Sequence, residues 1–565
     1  MNKKFYIKNI EVLVSEISLL TTILLCAMSL FEILNTSVGT VSMMLVPIFA
    51  ITSLIFEVQK SKIKRKMKNN GEYKSNKGNI KGKITAIIVI AVSCILISGA
   101  LCLVGIYGRI EAEQLYFTFV QPVTGTSTNI IMQAVIFISV GCLILFPLIF
   151  HLYKIVLNDF NYCRINERKN KRNKKFSFLI PLISFICAFA LFVDCFDVVN
   201  LIKYQMASGT FFEEHFTNAK DVDIVSPEQK RNLIIIFAES MESSYTSAEN
   251  GGIMKENLIP NLTKLAEENI NFSNTEKLGG ALPITGTQWT TAGITSQLFG
   301  VPLKIQGNAY GDNFKFLEGA YGIPDILKQE GYTELSIKGS EIEFGGLKGL
   351  VDTHMTGKYF DFNTAKEKGY ISKDYKVFWG FEDIKLFEYS KKEVEKAYNE
   401  NKPFFITIET VDTHFPGYVC SECELTGGNK YTTSIKCSDK QISDFVEWAS
   451  SQEWYGNTTI VIIGDHLTMK KDYIKAENYT RTTYNCIINS VNQNKEHIKN
   501  RKFAETDLCP TILSAMGYEI KGDKMGIGTD LFSGTKTLLE EIDIETINEG
   551  LRERSKCYEK EILCQ

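Results

Sequence analysis

The chain has 565 residues, of which 22% are charged, and a formal net charge of −3. That length leaves room for a globular domain of a few hundred residues beside a membrane portion, and so small a net charge argues against nucleic acid as the partner.

Five long apolar runs occupy the first part of the chain, near residues 10–34, 41–58, 84–107, 130–156 and 176–202. A helix needs roughly 20 apolar residues to cross a bilayer, so each run is long enough, the second being the shortest. The first exceeds a signal-peptide core and no small-residue cleavage site follows it, so it is expected to stay in the mature protein. Residues 58–83 hold ten Lys or Arg against one acid, and residues 158–175 hold seven against two. Basic loops are retained in the cytoplasm. Residues 35–40 and 108–129 carry one basic residue between them and belong outside. With five spans this places the N-terminus inside and everything after residue 202 outside.

Residues 211–230 are polar and acidic and read as a stalk. From residue 231 the pattern changes to short β-rich runs alternating with amphipathic helices. Buried strands are expected at 233–237, 404–408, 459–463 and 484–488. Ile442, Phe445, Val446 and Ala449 recur at helical spacing, with Ser438 as the expected N-cap, and residues 261–268 and 507–516 carry helix start and stop signals. Alternating strands and helices predict an α/β layered domain with a mainly parallel central sheet. The expected organisation is a five-helix transmembrane domain over 1–205, a juxtamembrane linker over 206–230, a catalytic domain over 231–535 and a C-terminal helical tail over 536–565.

In such a sheet ligands bind beyond the carboxyl ends of the strands, which makes polar residues that end apolar runs the candidates. NLIIIFAES places Glu239 after one strand, and TIVIIGDHL places Asp465 and His466 after another. Two carboxylates and an imidazole suit one divalent cation such as Mn²⁺, Zn²⁺ or Mg²⁺, with a coordination position left open. Each motif alone also fits a helix cap or turn. GTQWTTAGITSQLFG adds a hydroxyl-rich loop in which Thr290 or Thr291 is either a helix cap or a nucleophile activated by an adjacent cation. Spacing does not decide between them.

FAESMES, GTQWTTAGITSQ, TVDTHFPGY and IIGDHL, in this order and after five apolar runs, resemble the phosphoglycerol transferase and lipoteichoic acid synthase family, within the alkaline phosphatase and sulfatase superfamily. The resemblance covers about residues 231–533. It implies an alkaline-phosphatase/sulfatase-like fold, with Glu239, Thr290, Asp465 and His466 holding one metal ion, usually manganese or magnesium. Thr290 would be the nucleophile and His414 a contact to the transferred phosphate; its alternative is a packed loop histidine. In KGSEIEFGGLKG, Lys338 and Lys348 stand where related synthases have an aromatic residue and an arginine, and Lys348 is the favoured phosphate contact over a plain surface lysine.

The implied reaction moves a phosphoglycerol group from phosphatidylglycerol to an envelope glycan, glycolipid or glycerophosphate polymer. It passes through a threonine-bound intermediate and needs no nucleotide. A phosphoethanolamine transferase shares this layout and is the alternative, as is a noncatalytic module that binds envelope glycans. A sulfatase activity would need a Cys or Ser followed by Pro and Arg at the second and fourth places, which the segment from Thr290 to Ile294 lacks. Seven cysteines, Cys420, Cys423, Cys437, Cys486, Cys509, Cys557 and Cys564, follow the spans, and one disulfide is expected within 420–437.

Overall fold

The computed structural model describes residues 80–107, 128–162, 179–304, 315–423, 429–470, 473–474 and 478–565. The first two apolar runs lie outside these residues. The chain divides into two compact units, one ending at Phe196 and the other containing residues 197–565.

In the first unit the third and fourth runs form helices α1 (Ile80–Tyr107) and α2 (Thr128–Tyr162). Their stretches of 23 and 20 residues, Gly82–Val104 and Ile131–Phe150, are long and apolar enough to cross a membrane. The fifth run forms a shorter apolar helix, α3 (Leu179–Cys195, 17 residues). The described residues therefore hold two helices of spanning length rather than five. Ala86, Ile90 and Cys94 pack against Tyr153, while Ile88, Met132, Val135 and Leu143 stay exposed. An apolar helix that leaves such residues uncovered differs from the core helix of a water-soluble domain and suits a lipid surround.

The second unit is built on a seven-stranded sheet. Its strands are β1 (Asn232–Ala238), β2 (Gly280–Ala281), β3 (Thr333–Lys338), β4 (Tyr359–Phe360), β5 (Phe404–Glu409), β6 (Thr458–Gly464) and β7 (Thr483–Ile488). They lie in the order β2-β7-β6-β1-β5-β3-β4. The five from β6 to β4 are parallel, and at one edge β7 pairs antiparallel with both β6 and β2. The sheet is mostly parallel, as the alternation of strands and helices predicts.

All seven residues of β1 and of β6 are buried. Leu233, Ile235 and Phe237 enter the core on one face, and Ile234, Ile236 and Ala238 the core on the other. Apolar cover on both faces is why these strands read as unbroken hydrophobic runs, with no alternation. The four strands expected from sequence are present, each extended by one residue or more. β3 was not expected: Leu335 and Ile337 alternate with Glu334, Ser336 and Lys338, so the segment forms no unbroken apolar run.

One helix start differs from expectation. The helix containing Ile442 runs from Lys430 to Ser450, capped by the Asn429 side chain, which accepts from the N–H groups of Tyr431 and Thr432. Ser438 is a buried interior residue of that helix and not its cap. Tyr431, Ile435, Ser438, Ile442, Phe445 and Ala449 share one buried face at 3.6-residue spacing, so packing extends the helix through a stretch of weak helix formers. Residues 206–230 pack into this unit: Phe212 is buried edge-to-face on Tyr558 of the C-terminal helices, and Ile224–Val225 pairs with Glu519–Ile520.

Glu334 supplies a test of this interior. It is fully buried in β3, and burial pushes its carboxyl up to about 8. An unfolded Glu ionises near 4.5, so between about pH 4.5 and 8 the unfolded chain gives up a proton that the folded chain keeps. Stability therefore falls as pH rises through that window, by a few kcal/mol on the order of 1.4 kcal/mol per pKa unit. Glu334→Gln removes this dependence, and melting curves should find its advantage over wild type growing from about pH 5 to about pH 8.

Candidate metal and nucleophile site

The site gathers at the carboxyl edge of the parallel strands. In register, Ala238 of β1 lies beside Gly464 of β6, so the next residues, Glu239 and Asp465, leave the sheet side by side. Ser240 adopts a left-handed backbone (φ 52°), and its N–H donates to Asp465 Oδ1 at 2.7 Å while its hydroxyl donates to Glu239 Oε1 at 2.6 Å. Asp465 Oδ1 also accepts the N–H of His466 at 2.8 Å. The Glu239 backbone is held from β5's end, its N–H by Thr410 Oγ1 and its carbonyl by the Thr413 hydroxyl.

Glu239, Asp465 and His466 present ligand atoms within 4.8 Å of one another, and all three are buried. His466 Nδ1 donates to Leu467 O at 2.7 Å, which leaves the lone pair on Nε2, 3.4 Å from Asp465 Oδ2. Asp465 Oδ2 is buried with no hydrogen-bond partner among the described residues. An orphaned carboxylate oxygen facing an imidazole lone pair fits a divalent cation, since both groups are then satisfied. Burial and the Glu239 charge push the Asp465 carboxyl up to about 7. Burial pulls the His466 imidazole down, but Asp465 and Glu239 outweigh it and its pKa is raised.

Thr290 is the first residue of helix α4 (Thr290–Phe299), whose N-cap is Trp289 with no side-chain capping bond. Neither threonine caps the helix. The half-buried Thr290 hydroxyl lies 3.4 Å from Glu239 Oε2 and 3.3 Å from His466 Nε2, whereas the Thr291 hydroxyl donates to Gly345 O. The helix N-terminus places unpaired N–H groups and a partial positive charge at that hydroxyl, favourable for an anionic group. Helix α4 reaches this depth because Gly293 has no side chain: a Cβ there would stand 1.9 Å from Asp465 O.

His414 follows β5 and is half-buried. Its Nδ1 donates to Phe415 O at 3.0 Å, and its ring meets Trp379 edge-to-face at 4.9 Å. Burial pushes its imidazole down to about 4, with the His466 ring adding to the effect and Asp465 opposing it. It is therefore neutral near pH 7, with Nε2 as an acceptor. The His414 loop is fastened by two carboxyls: Asp383 accepts the N–H groups of Val411 and Asp412, and Asp412 accepts that of Asp383.

The two lysines separate. Lys338, at the end of β3 and 2% exposed, pairs with Glu409 at 3.1 Å, and Glu409 in turn senses Asp465 and His466. Lys348 pairs with Asp352 on the surface and lies over the Tyr359 ring. Its described contacts do not include the metal-type cluster. The Trp379–Asp383 segment carries no motif that marks it in the sequence. Glu242, within FAESMES, is taken up by Arg481, which donates to it through Nε at 2.9 Å. Cys423 and Cys437 form a disulfide, with the Cys420 thiol 3.3 and 3.6 Å from their sulfurs.

A mostly parallel α/β sheet with a carboxylate-imidazole cluster at its carboxyl edge and a hydroxyl at a facing helix N-terminus defines the class. The chain belongs to the sulfatase family, whose sequence model matches residues 231–518. Among curated proteins it is similar to "Phosphoglycerol transferase I" of Escherichia coli (strain SMS-3-5 / SECEC), 28% identical over 283 residues, 48% of this chain and 35% of that protein. The protein of the same name from Salmonella choleraesuis (strain SC-B67) is 29% identical over 286 residues, again 48% of this chain and 35% of that protein. The chain thus spans about a third of the length of these relatives. Among solved structures, a lipoteichoic acid synthase from Listeria monocytogenes aligns with a TM-score of 0.41 and 18% identity, over 57% of this chain and 81% of that one. A lipooligosaccharide phosphoethanolamine transferase from Neisseria meningitidis aligns with a TM-score of 0.46 and 12% identity, over 90% and 96%.

Gly293→Ala tests the approach of α4 to the cluster. The added methyl meets backbone, so the helix must move, at roughly 1–3 kcal/mol. The expected outcome is a lower melting temperature and weaker Mn²⁺ binding by calorimetry.

Proposed function

We propose that this chain is a metal-dependent phosphotransferase that moves a phosphoglycerol group from phosphatidylglycerol to an envelope glycan, glycolipid or glycerophosphate polymer. The observation that carries the reading is the Thr290 hydroxyl, 3.4 Å from Glu239 and 3.3 Å from His466 at a helix N-terminus. The names of the curated relatives point the same way. Glu239, Asp465, His466 and Thr290 would hold the ion, with Mn²⁺ favoured. A cation bound there lowers the pKa of the adjacent hydroxyl and offsets phosphoryl charge.

The Thr290 oxygen attacks phosphorus, the bond to the diacylglycerol oxygen breaks, and diacylglycerol leaves with a proton. A glycerophosphoryl-threonine remains. An acceptor hydroxyl then attacks phosphorus and Thr290 regains its hydrogen. His414, neutral and with Nε2 an acceptor, relays that hydrogen from the acceptor hydroxyl to the Thr290 oxygen as the bond between phosphorus and Thr290 breaks. The α4 N-terminus favours the anionic group throughout. The two diesters are of similar energy, so no nucleotide is needed.

This reading places five spans before residue 205, with the N-terminus cytoplasmic and the catalytic domain outside the membrane. The exposed apolar faces of α1 and α2 support the membrane anchor.

The test is diacylglycerol release from fluorescent phosphatidylglycerol by the full chain in detergent with Mn²⁺, with phosphatidylethanolamine offered in parallel. Thr290→Ala should lower release from phosphatidylglycerol by at least about a thousandfold without unfolding the protein. Release from phosphatidylethanolamine alone would replace the donor. Turnover of neither lipid would sink the proposal.

A further inference from the structure

Three cysteines meet where the His414 loop runs onto the long helix Lys430–Ser450. Gly417 (φ 85°) lets the loop lie there, since a Cβ on it would stand 3.1 Å from Tyr431 Cα. Cys420 and Cys423 follow at C-x-x-C spacing, and the Cys423 N–H donates to Cys420 O at 3.2 Å. Cys437 belongs to the helix and is bonded to Cys423. That bond already fastens the loop, yet the buried Cys420 thiol stands 3.3 Å from Cys423 Sγ and 3.6 Å from Cys437 Sγ. A thiol in contact with both sulfurs of a disulfide is a reactant for it, because thiolates displace disulfide sulfurs directly.

Gln441 adds a second observation. One turn beyond Cys437 on the same helix, its side-chain N–H donates to Cys420 Sγ at 3.5 Å and to Cys437 Sγ at 3.3 Å. These are the two sulfurs that would carry charge, Cys420 before an exchange and Cys437 after it, and an N–H donor favours a sulfur in its anionic form. Burial pushes the Cys420 thiol up, with Asp412 and Glu422 adding to the effect and the N–H groups of Glu422 and Cys423 opposing it. Exchange at Cys420 is therefore slow near neutral pH and quickens as pH rises.

We propose that Cys420, Cys423 and Cys437 form a thiol–disulfide exchange site in which Cys420 takes over Cys423 and releases Cys437. The Cys420 thiolate attacks Cys423 Sγ, the bond between Cys423 and Cys437 breaks, and its electron pair leaves on Cys437, which takes up the proton that Cys420 gave up. One thiol and one disulfide stand on each side of the exchange, so neither an oxidant nor a reductant is consumed. The thiol lies beside the S–S bond, and attack in line with that bond requires a turn about χ1 of Cys420, a rotamer change. The product is a bridge confined to the loop, Cys420 to Cys423, in place of one from loop to helix. The covalent tie between the His414 loop and the helix is thus removable, whatever group the enzyme transfers.

The test uses the full chain in detergent without reductant, held at about pH 8.5 so that thiolates form, then acidified to about pH 4 to stop exchange. The stopped protein is denatured in acid, its free thiols are tagged there with a maleimide, and its peptides are mapped by mass spectrometry. Two populations are expected. One has Cys423 bonded to Cys437 and the tag on Cys420; the other has Cys420 bonded to Cys423 and the tag on Cys437, and makes up at least about a tenth of the protein. Cys420→Ser should keep the Cys423–Cys437 bond and show no tag on Cys437, with a melting temperature that confirms its fold. A wild-type tag confined to Cys420 or to Cys423, tags on all three cysteines, or a tag on Cys437 in the folded Cys420→Ser protein overturns the proposal.

Discussion

The Asp465 carboxylate is the contact on which the site depends. One oxygen takes the N–H groups of Ser240 and His466, which ties the end of β1 to the end of β6 and turns His466 back toward Glu239. The other oxygen is left without a partner. The parallel register sets this up, because Ala238 beside Gly464 makes the two strands end level. A slip of one residue would send Glu239 and Asp465 to opposite faces of the sheet. The left-handed Ser240 is part of the same device, a strained residue held by two hydrogen bonds to the groups it aligns.

Around that contact the molecule assembles two walls. One is α4, whose N-terminus brings Thr290 to the cluster and whose Gly293 permits backbone contact with Asp465. The other runs from Lys338 through Phe344 and Trp379 to His414 and is locked from behind by the Asp383 and Asp412 carboxyls. Burial raises Asp383 to about 7, and burial and the Asp383 charge push Asp412 well above the usual carboxylate range. Their backbone donors offset part of that cost, which is how two acids survive beside a third in Glu239.

Family membership and activity rest on different residues here. The sequence match over residues 231–518 places the chain in the sulfatase family, yet Thr290 is not followed by the Pro and Arg pattern of sulfate-ester hydrolysis. A threonine hydroxyl at a helix N-terminus can carry a phosphoryl group and pass it on, and a fold by itself does not choose the acceptor.

The four central strands were legible because burial on both faces leaves unbroken apolar runs, and Glu239, Asp465 and His466 were legible because strand ends in a parallel sheet are where ligands sit. β3 was not, since Leu335 and Ile337 alternate with Glu334, Ser336 and Lys338 and form no unbroken apolar run. The early start of the helix at Lys430 came from packing of Tyr431 and Ile435 against propensity. By itself the sequence determined the apolar segments, the α/β layering and the cluster's donors, because hydrophobic period and residue chemistry are local properties. Only the tertiary structure decided which threonine faces the cluster, that Asp465 keeps an oxygen free and that Trp379 stands between His414 and Phe344. Those facts depend on backbone contacts between segments far apart in the chain, which no local pattern encodes.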